Sequence, residues 1–282
     1  MYSGSHMAKK ELLEKTTRPF SKYTNFPVII GLSLFALALI ELVTDSNFFY
    51  SSGLVHLFPV LLVLFIIINL VISYPFKDKL LKGFLHIHLF GLAWFGVIHI
   101  YEYIQSSNIY AKSDLLDMSV VLGYLFWIVL TIQANERCYG IIQKTGTMLK
   151  KILRISTLVL IGIAIVITAT SNGLAEETIE TLSLASVGLV WIFGVAAIFS
   201  YSRLKRTIPI FRGFSTYLTV AVLLVMLAAG FEFLEPTGLL LRFGILDAQV
   251  VYLSNAVFLA ALSALAIGFG RLVKLPGVYK DL

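Results

Sequence analysis

Residues 250–270 read VVYLSNAVFLAALSALAIGFG, 21 in a row without a charge. At about 1.5 Å per residue such a run, coiled as a helix, crosses the ~30 Å hydrocarbon layer of a bilayer. Nothing else constrains the chain as hard. In lipid a spanning segment must satisfy its own backbone hydrogen bonds, which leaves helices and closed barrels. The run has companions. Apolar stretches of helical length recur at 27–43, 54–74, 83–105, 117–136, 153–171, 181–201 and 213–234, and the last, with its flanks, covers 247–272. Only 13% of the residues are charged, against roughly 25% in soluble domains. The fold class this predicts is an all-α polytopic membrane protein with eight transmembrane helices. Its first partner is therefore the lipid bilayer.

Lysine and arginine then orient the spans. Twenty of the 22 fall in the N-terminal segment, in the loops after the second, fourth and sixth spans, and in the tail; Lys112 and Arg242 stand on the other side. The positive-inside rule puts both termini in the cytoplasm. The net charge of +6 is thus a topology signal and does not point to nucleic acid. Helix 27–43 has start chemistry in Asn25 and Pro27, while Pro75 and the EPTG at 235–238 read as stops. The opening MYSGSHMAKK reads as an expression scar ending at Met7, so His6 is set aside. Cys138 is the single cysteine, which excludes an intrachain disulfide.

Sliding the chain by 130 residues exposes a duplication. Lys82-Gly83-Phe84 falls on Arg212-Gly213-Phe214, Tyr101-Glu102-Tyr103 on Phe231-Glu232-Phe233, Lys112 on Arg242, and Asp117 on Asp247. Charged residues are scarce here, so matching them in register carries more weight than matching apolar ones. The organisation this predicts is two tandem four-helix repeats. Residues 1–25 are the scar and a cytoplasmic segment, 26–138 the first repeat, 139–151 a basic linker, 152–274 the second repeat and 275–282 a cytoplasmic tail. A four-helix unit ends on the side where it began, so the axis relating the copies should follow the membrane normal.

The repeated acid is the leading candidate site. Glu102 lies 18 residues beyond Phe84, roughly 27 Å along a helix, near the outer edge of the hydrocarbon. Its plain reading is a helix end in an aromatic belt, with Lys112 and Asp117, or Arg242 and Asp247, forming structural ion pairs in the short outer loops. The sharper reading gathers Glu41, His56, His99, Glu102, Glu232 and Glu235 into an outer mouth that binds a small molecule, lipid or ion. His99 and Glu102 share a helix face, as do Glu232 and Glu235. Glu41, between LALI and LV, has no local partner, and acids at membrane depth by default suggest function.

Metal chemistry is weakly signalled, since the acids and histidines lack a two-helix Glu-x-x-His pattern or a cysteine set. His56 and His99 offer a bis-histidine haem option. No histidine follows residue 99, so a duplicated di-haem arrangement is not supported. No G-x-S-x-G, Walker A or Rossmann pattern occurs, and the last span has no lysine for a Schiff base. Trp94, Trp127 and Trp191 read as packing residues, and Gly162, Gly188, Gly194 and Gly230 as sites of close helix approach.

In LAAGFEFLEPTGLLLRFGILD, residues 227–247, a long apolar helix ends in an aromatic-flanked acid before a short loop and another helix. The chain here resembles the multi-helix membrane input regions of prokaryotic histidine kinases. The resemblance implies a sensor in the cytoplasmic membrane of a prokaryote, with a cytoplasmic signalling partner. No phosphoacceptor-histidine segment or ATP-binding glycines follow residue 272. Three function classes therefore stand in order: a sensor or ligand-binding module, a transporter or channel for a small solute or ion, and a membrane enzyme or redox protein.

Overall fold

A computed structural model describes residues 54–73, 79–106, 114–143, 176–208, 211–234 and 247–273, with isolated positions between 29 and 44 and at 155 and 159. The extended elements are all helices: α1 Leu54–Ser73, α2 Lys79–Ser106, α3 Asp114–Gln143, α4 Glu176–Thr207, α5 Arg212–Leu234 and α6 Asp247–Val273. Four carry segments long and apolar enough to cross a membrane: Gly83–Tyr101, Leu184–Thr207, Arg212–Phe231 and Leu253–Leu272; in α1 the apolar stretch Leu57–Ile68 is shorter. The spans expected at 27–43 and 153–171 lie outside the described residues apart from isolated positions, among which Leu37 packs against the core.

Several helices outrun the spans the sequence predicts. The hydrophobic run marks the part that lies in hydrocarbon. The helix continues wherever polar residues still favour it. Thus α3 runs on past Arg137, and α4 begins at Glu176 and carries Lys205 and Arg206 in its last turn, where cations meet the negative end of the helix dipole. Pro59 stands inside α1, in its second turn.

The exposed surface is inverted relative to a soluble bundle. Leu61, Leu64, Ile68 and Val71 form an exposed stripe on α1, and Leu184, Ile192, Val195 and Phe199 another on α4, with Phe199 71% exposed. Val220, Leu223 and Leu227 do the same on α5. Spacings of three and four residues put each set on one face, and large apolar stripes of this kind belong against lipid acyl chains. By contrast α3 is buried from Val120 to Asn135, with only Leu122 and Gln133 half-buried. α6 is covered nearly as completely from Phe258 to Gly270.

The six helices pack as a closed circuit. α1 lies on α2, α2 on α3, α3 on α4, α4 on α5, α5 on α6, and α6 returns to α1; α3 also touches α5 across the middle. Small residues set the closest approaches. A Cβ on Gly91 would come 2.9 Å from the Trp127 indole, and one on Gly123 would strike Ile98. Gly194 admits Met226. Gly188, expected as a close-packing site, is exposed with nothing near it. Trp127 is fully buried, whereas Trp191 is 47% exposed and stands on the lipid-facing stripe.

Candidate functional site

The helix ends sort by charge. Ile98, Gly123, Ala228, Ser254 and Phe258 share one level, tied by the Gly123–Ile98 approach, the Ser254 hydroxyl near the Ala228 carbonyl at 3.4 Å, and rings of α2 and α3 on Phe258. Beyond that level lie the helix ends carrying Glu102, Asp114, Asp117, Glu232 and Asp247. The opposite end carries Arg137, Arg212 and Arg271, gathered where Gly83 meets Arg137 and Gly213 meets Arg271. One end of the bundle is therefore acidic and the other basic.

Of the predicted mouth residues, the structure places His56 in the first turn of α1, Glu102 near the end of α2 and Glu232 near the end of α5, all toward the acidic end. Asp117 and Asp247 open α3 and α6 at the same end. Glu41, Glu235, Lys112 and Arg242 lie outside the described residues, and with them the proposed ion pairs. His99 is the mouth residue with a defined setting. It is 2% exposed, and its ring lies 4.8 Å from that of Phe258 on α6, tilted by 39°. The haem option needs the His56 side chain, which falls outside the described residues. Among those residues no three metal-ligating side chains come together.

Aromatic rings fill the centre. Toward the acidic end, Phe258 sits 5.0 Å from Phe95 and 5.2 Å from Tyr124, and Phe95 lies 5.6 Å from Trp127. Toward the basic end, Phe84 sits 5.4 Å from both Phe211 and Phe214, and Phe214 lies 5.2 Å from Phe269. Edge-to-face pairs such as Phe84 with Phe214 contribute about 0.5–1.5 kcal/mol beyond area burial. His88, 1% exposed, stands among Phe84, Phe214 and Phe269. Its Nε2 has no hydrogen-bond partner among the described residues.

Sequence reasoning missed a second polar group. Thr131 and Asn135 on α3 and Tyr201 on α4 are each buried to within 1%. The Tyr201 side chain lies against both of the others. Yet among the described residues none of Thr131 Oγ1, Asn135 Oδ1, Asn135 Nδ2 and Tyr201 Oη completes a hydrogen bond of good geometry. The signal was present in WIVLTIQAN, 127–135, where two polar residues four apart interrupt an apolar run on one helix face. It carries no charge, and an uncharged Thr or Asn in an apolar helix is ordinary. No family model, curated protein or solved structure matches the chain.

Proposed function

We propose that this is a membrane-embedded sensor or ligand-binding module that recognises a small molecule, lipid or ion at its acidic, outward-facing end. The carrying observation is a pair of ring clusters, one of His99, Phe258, Phe95 and Trp127 toward the acidic end and one of Phe84, Phe211, Phe214 and Phe269 toward the basic end. Rings that fill the bundle at two levels favour recognition over a standing pore. His99 rests on a ring of α6, so a ligand drawn to the mouth would press on two helices far apart in sequence. The resemblance to kinase input regions agrees with this reading, with a cytoplasmic signalling partner receiving the change.

The finer architecture belongs to the same proposal: eight spans, two tandem four-helix repeats, and both termini cytoplasmic in a prokaryotic membrane. Three features support it. Phe84 and Phe214, 130 positions apart, touch each other, as equivalent residues beside a pseudo-two-fold axis should. Exchanging α1, α2 and α3 for α4, α5 and α6 maps the packing circuit onto itself. Each half also sets a glycine at the basic end against an arginine of its partner helix. The same duplication favours a transporter as the second reading, since parallel repeats recur among transporters.

The test is symmetric. Replace Glu102 by Gln and Glu232 by Gln separately and measure thermal stability in detergent. The repeat predicts similar shifts; a large loss for one and none for the other overturns the paired site. A native mass spectrum of the gently released protein would carry a bound small-molecule mass on the sensor reading. Solute flux into liposomes, lost in Glu41→Ala, would replace that reading with transport.

A further inference from the structure

We propose that the α3–α4 interface holds an internal water molecule, ligated by Thr131, Asn135 and Tyr201 within the membrane-spanning bundle. The inference is separate from the acidic mouth, since these residues lie in the basic half.

Hydroxyls in spanning helices normally satisfy themselves by bonding to a carbonyl four residues back. Ser186 does so to Leu182 at 2.8 Å, Thr216 to Arg212 at 3.0 Å, Thr219 to Ser215 at 2.9 Å and Ser263 to Leu259 at 2.8 Å. Thr131 Oγ1 does not take that bond, and neither do the buried hydroxyls of Ser200 and Ser215. Thr131 and Asn135 stand one turn apart on one face of α3, and Tyr201 meets them from α4. Polar side chains from two helices thus converge on one place, where Tyr201 approaches Thr131 and Asn135 without a well-formed hydrogen bond. An unpaired buried polar group is costly in hydrocarbon, so something must complete the set.

The donor and acceptor inventory selects the occupant. Direct closure could pair the two hydroxyls, but the Asn135 amide has two N–H donors. A helix carbonyl four residues back could accept the Thr131 hydroxyl, as happens at Ser186 and Ser263, but that bond is not made here. A metal cation would want six or more oxygens, preferably carboxylates; this cluster offers Thr131 Oγ1, Asn135 Oδ1 and Tyr201 Oη. A water gives two donors and two acceptors and needs two to four polar partners. It fits the neutral, mixed set. The positions 130 residues on are Ala261 and Leu265, both buried, so a helix in the matching place packs without polar side chains at these two positions. The polar group is therefore not a requirement of the architecture.

X-ray radiolytic footprinting of the full chain in lipid nanodiscs, in ¹⁸O-labelled water, tests this. Radicals formed from an ordered water oxidise its neighbours even when they are buried. Tyr201 should be labelled several-fold faster than Tyr124, which is equally hidden but packed against Phe95 and Phe258. In Thr131→Val, and independently in Asn135→Leu, labelling of Tyr201 should fall to the Tyr124 rate. Equal rates in the unaltered protein would mean that the cluster closes on itself and would overturn the proposal. So would fast labelling that persists in both variants, because the water would then be held by other groups.

Discussion

The hairpin α2–α3 and the hairpin α5–α6 solve one packing problem with opposite allocations of size. In the first, Gly91 lies beneath the Trp127 indole. The corresponding positions in the second are Ala221 and Val257. In the first, Gly123 accepts Ile98; the corresponding positions are Leu253 and Ala228. Where the first hairpin sets glycine against a large side chain, the second has alanine and valine at one pair of positions and, at the other, buried Ala228 with Leu253 39% exposed. Interiors are packed to near-crystalline density, so volume lost on one helix must be returned on its neighbour. On the proposed repeat, the two hairpins would have kept their helix positions while residue sizes diverged at matching sites.

The largest effect that could break this comparison lies at Trp127. Trp127→Ala should cost about 3–5 kcal/mol, as removal of a fully buried indole does. Val257→Ala, at a half-buried site, should cost about 1 kcal/mol. Reversible unfolding in mixed micelles would check both, and equal losses would show that the hairpins carry load alike. Next come Gly91→Val and Ala221→Val. Gly91 already contacts a rigid ring, so its variant should lose about 1–3 kcal/mol through overpacking. The Ala221 variant adds less volume, so its midpoint should fall less; the reverse order would sink the size-allocation argument. The smallest contrast is at the basic end. A Cβ on Gly83 meets Arg137 Nε at 2.8 Å, and one on Gly213 stays 3.6 Å from Arg271 Cδ. Gly213→Ala should leave the melting temperature unchanged or slightly raised by helix propensity. Gly83→Ala should lower it a little, because an exposed arginine can swing aside.

Much of this architecture could be read in the chain before any coordinate. Lipid demands helices, and the apolar runs mark them, so α1 at 54–73, α5 at 212–234 and α6 at 247–273 fall close to the spans drawn from hydropathy. Helix ends beyond the hydrocarbon were harder to read, because hydropathy is silent about Glu176–Glu180 and Glu136–Gln143. The acids at the mouth were visible as charges in an apolar background. Three-dimensional partnership was not. Phe258 lies against His99 across 159 positions, a relation that no local pattern encodes. Tyr201 escaped for a different reason. Tyrosine near a membrane interface is ordinary, and only its neighbours reveal that this one is buried and unpaired.

The corner between α4 and α5 has almost no slack. Ile208 N donates to the Leu204 carbonyl and Phe211 N to the Ile208 carbonyl, both near 3 Å, so the chain turns within a few residues. Phe211 then presses on Phe84. Among the four candidate spans in the described residues, the one in α4 has the least of its surface covered by protein. A bilayer that thins obliges such a helix to tilt, and a stiff elbow passes the tilt straight into the central rings. A tilt of α4 within the lipid would therefore reach the interior through one ring, Phe211, where it bears on Phe84.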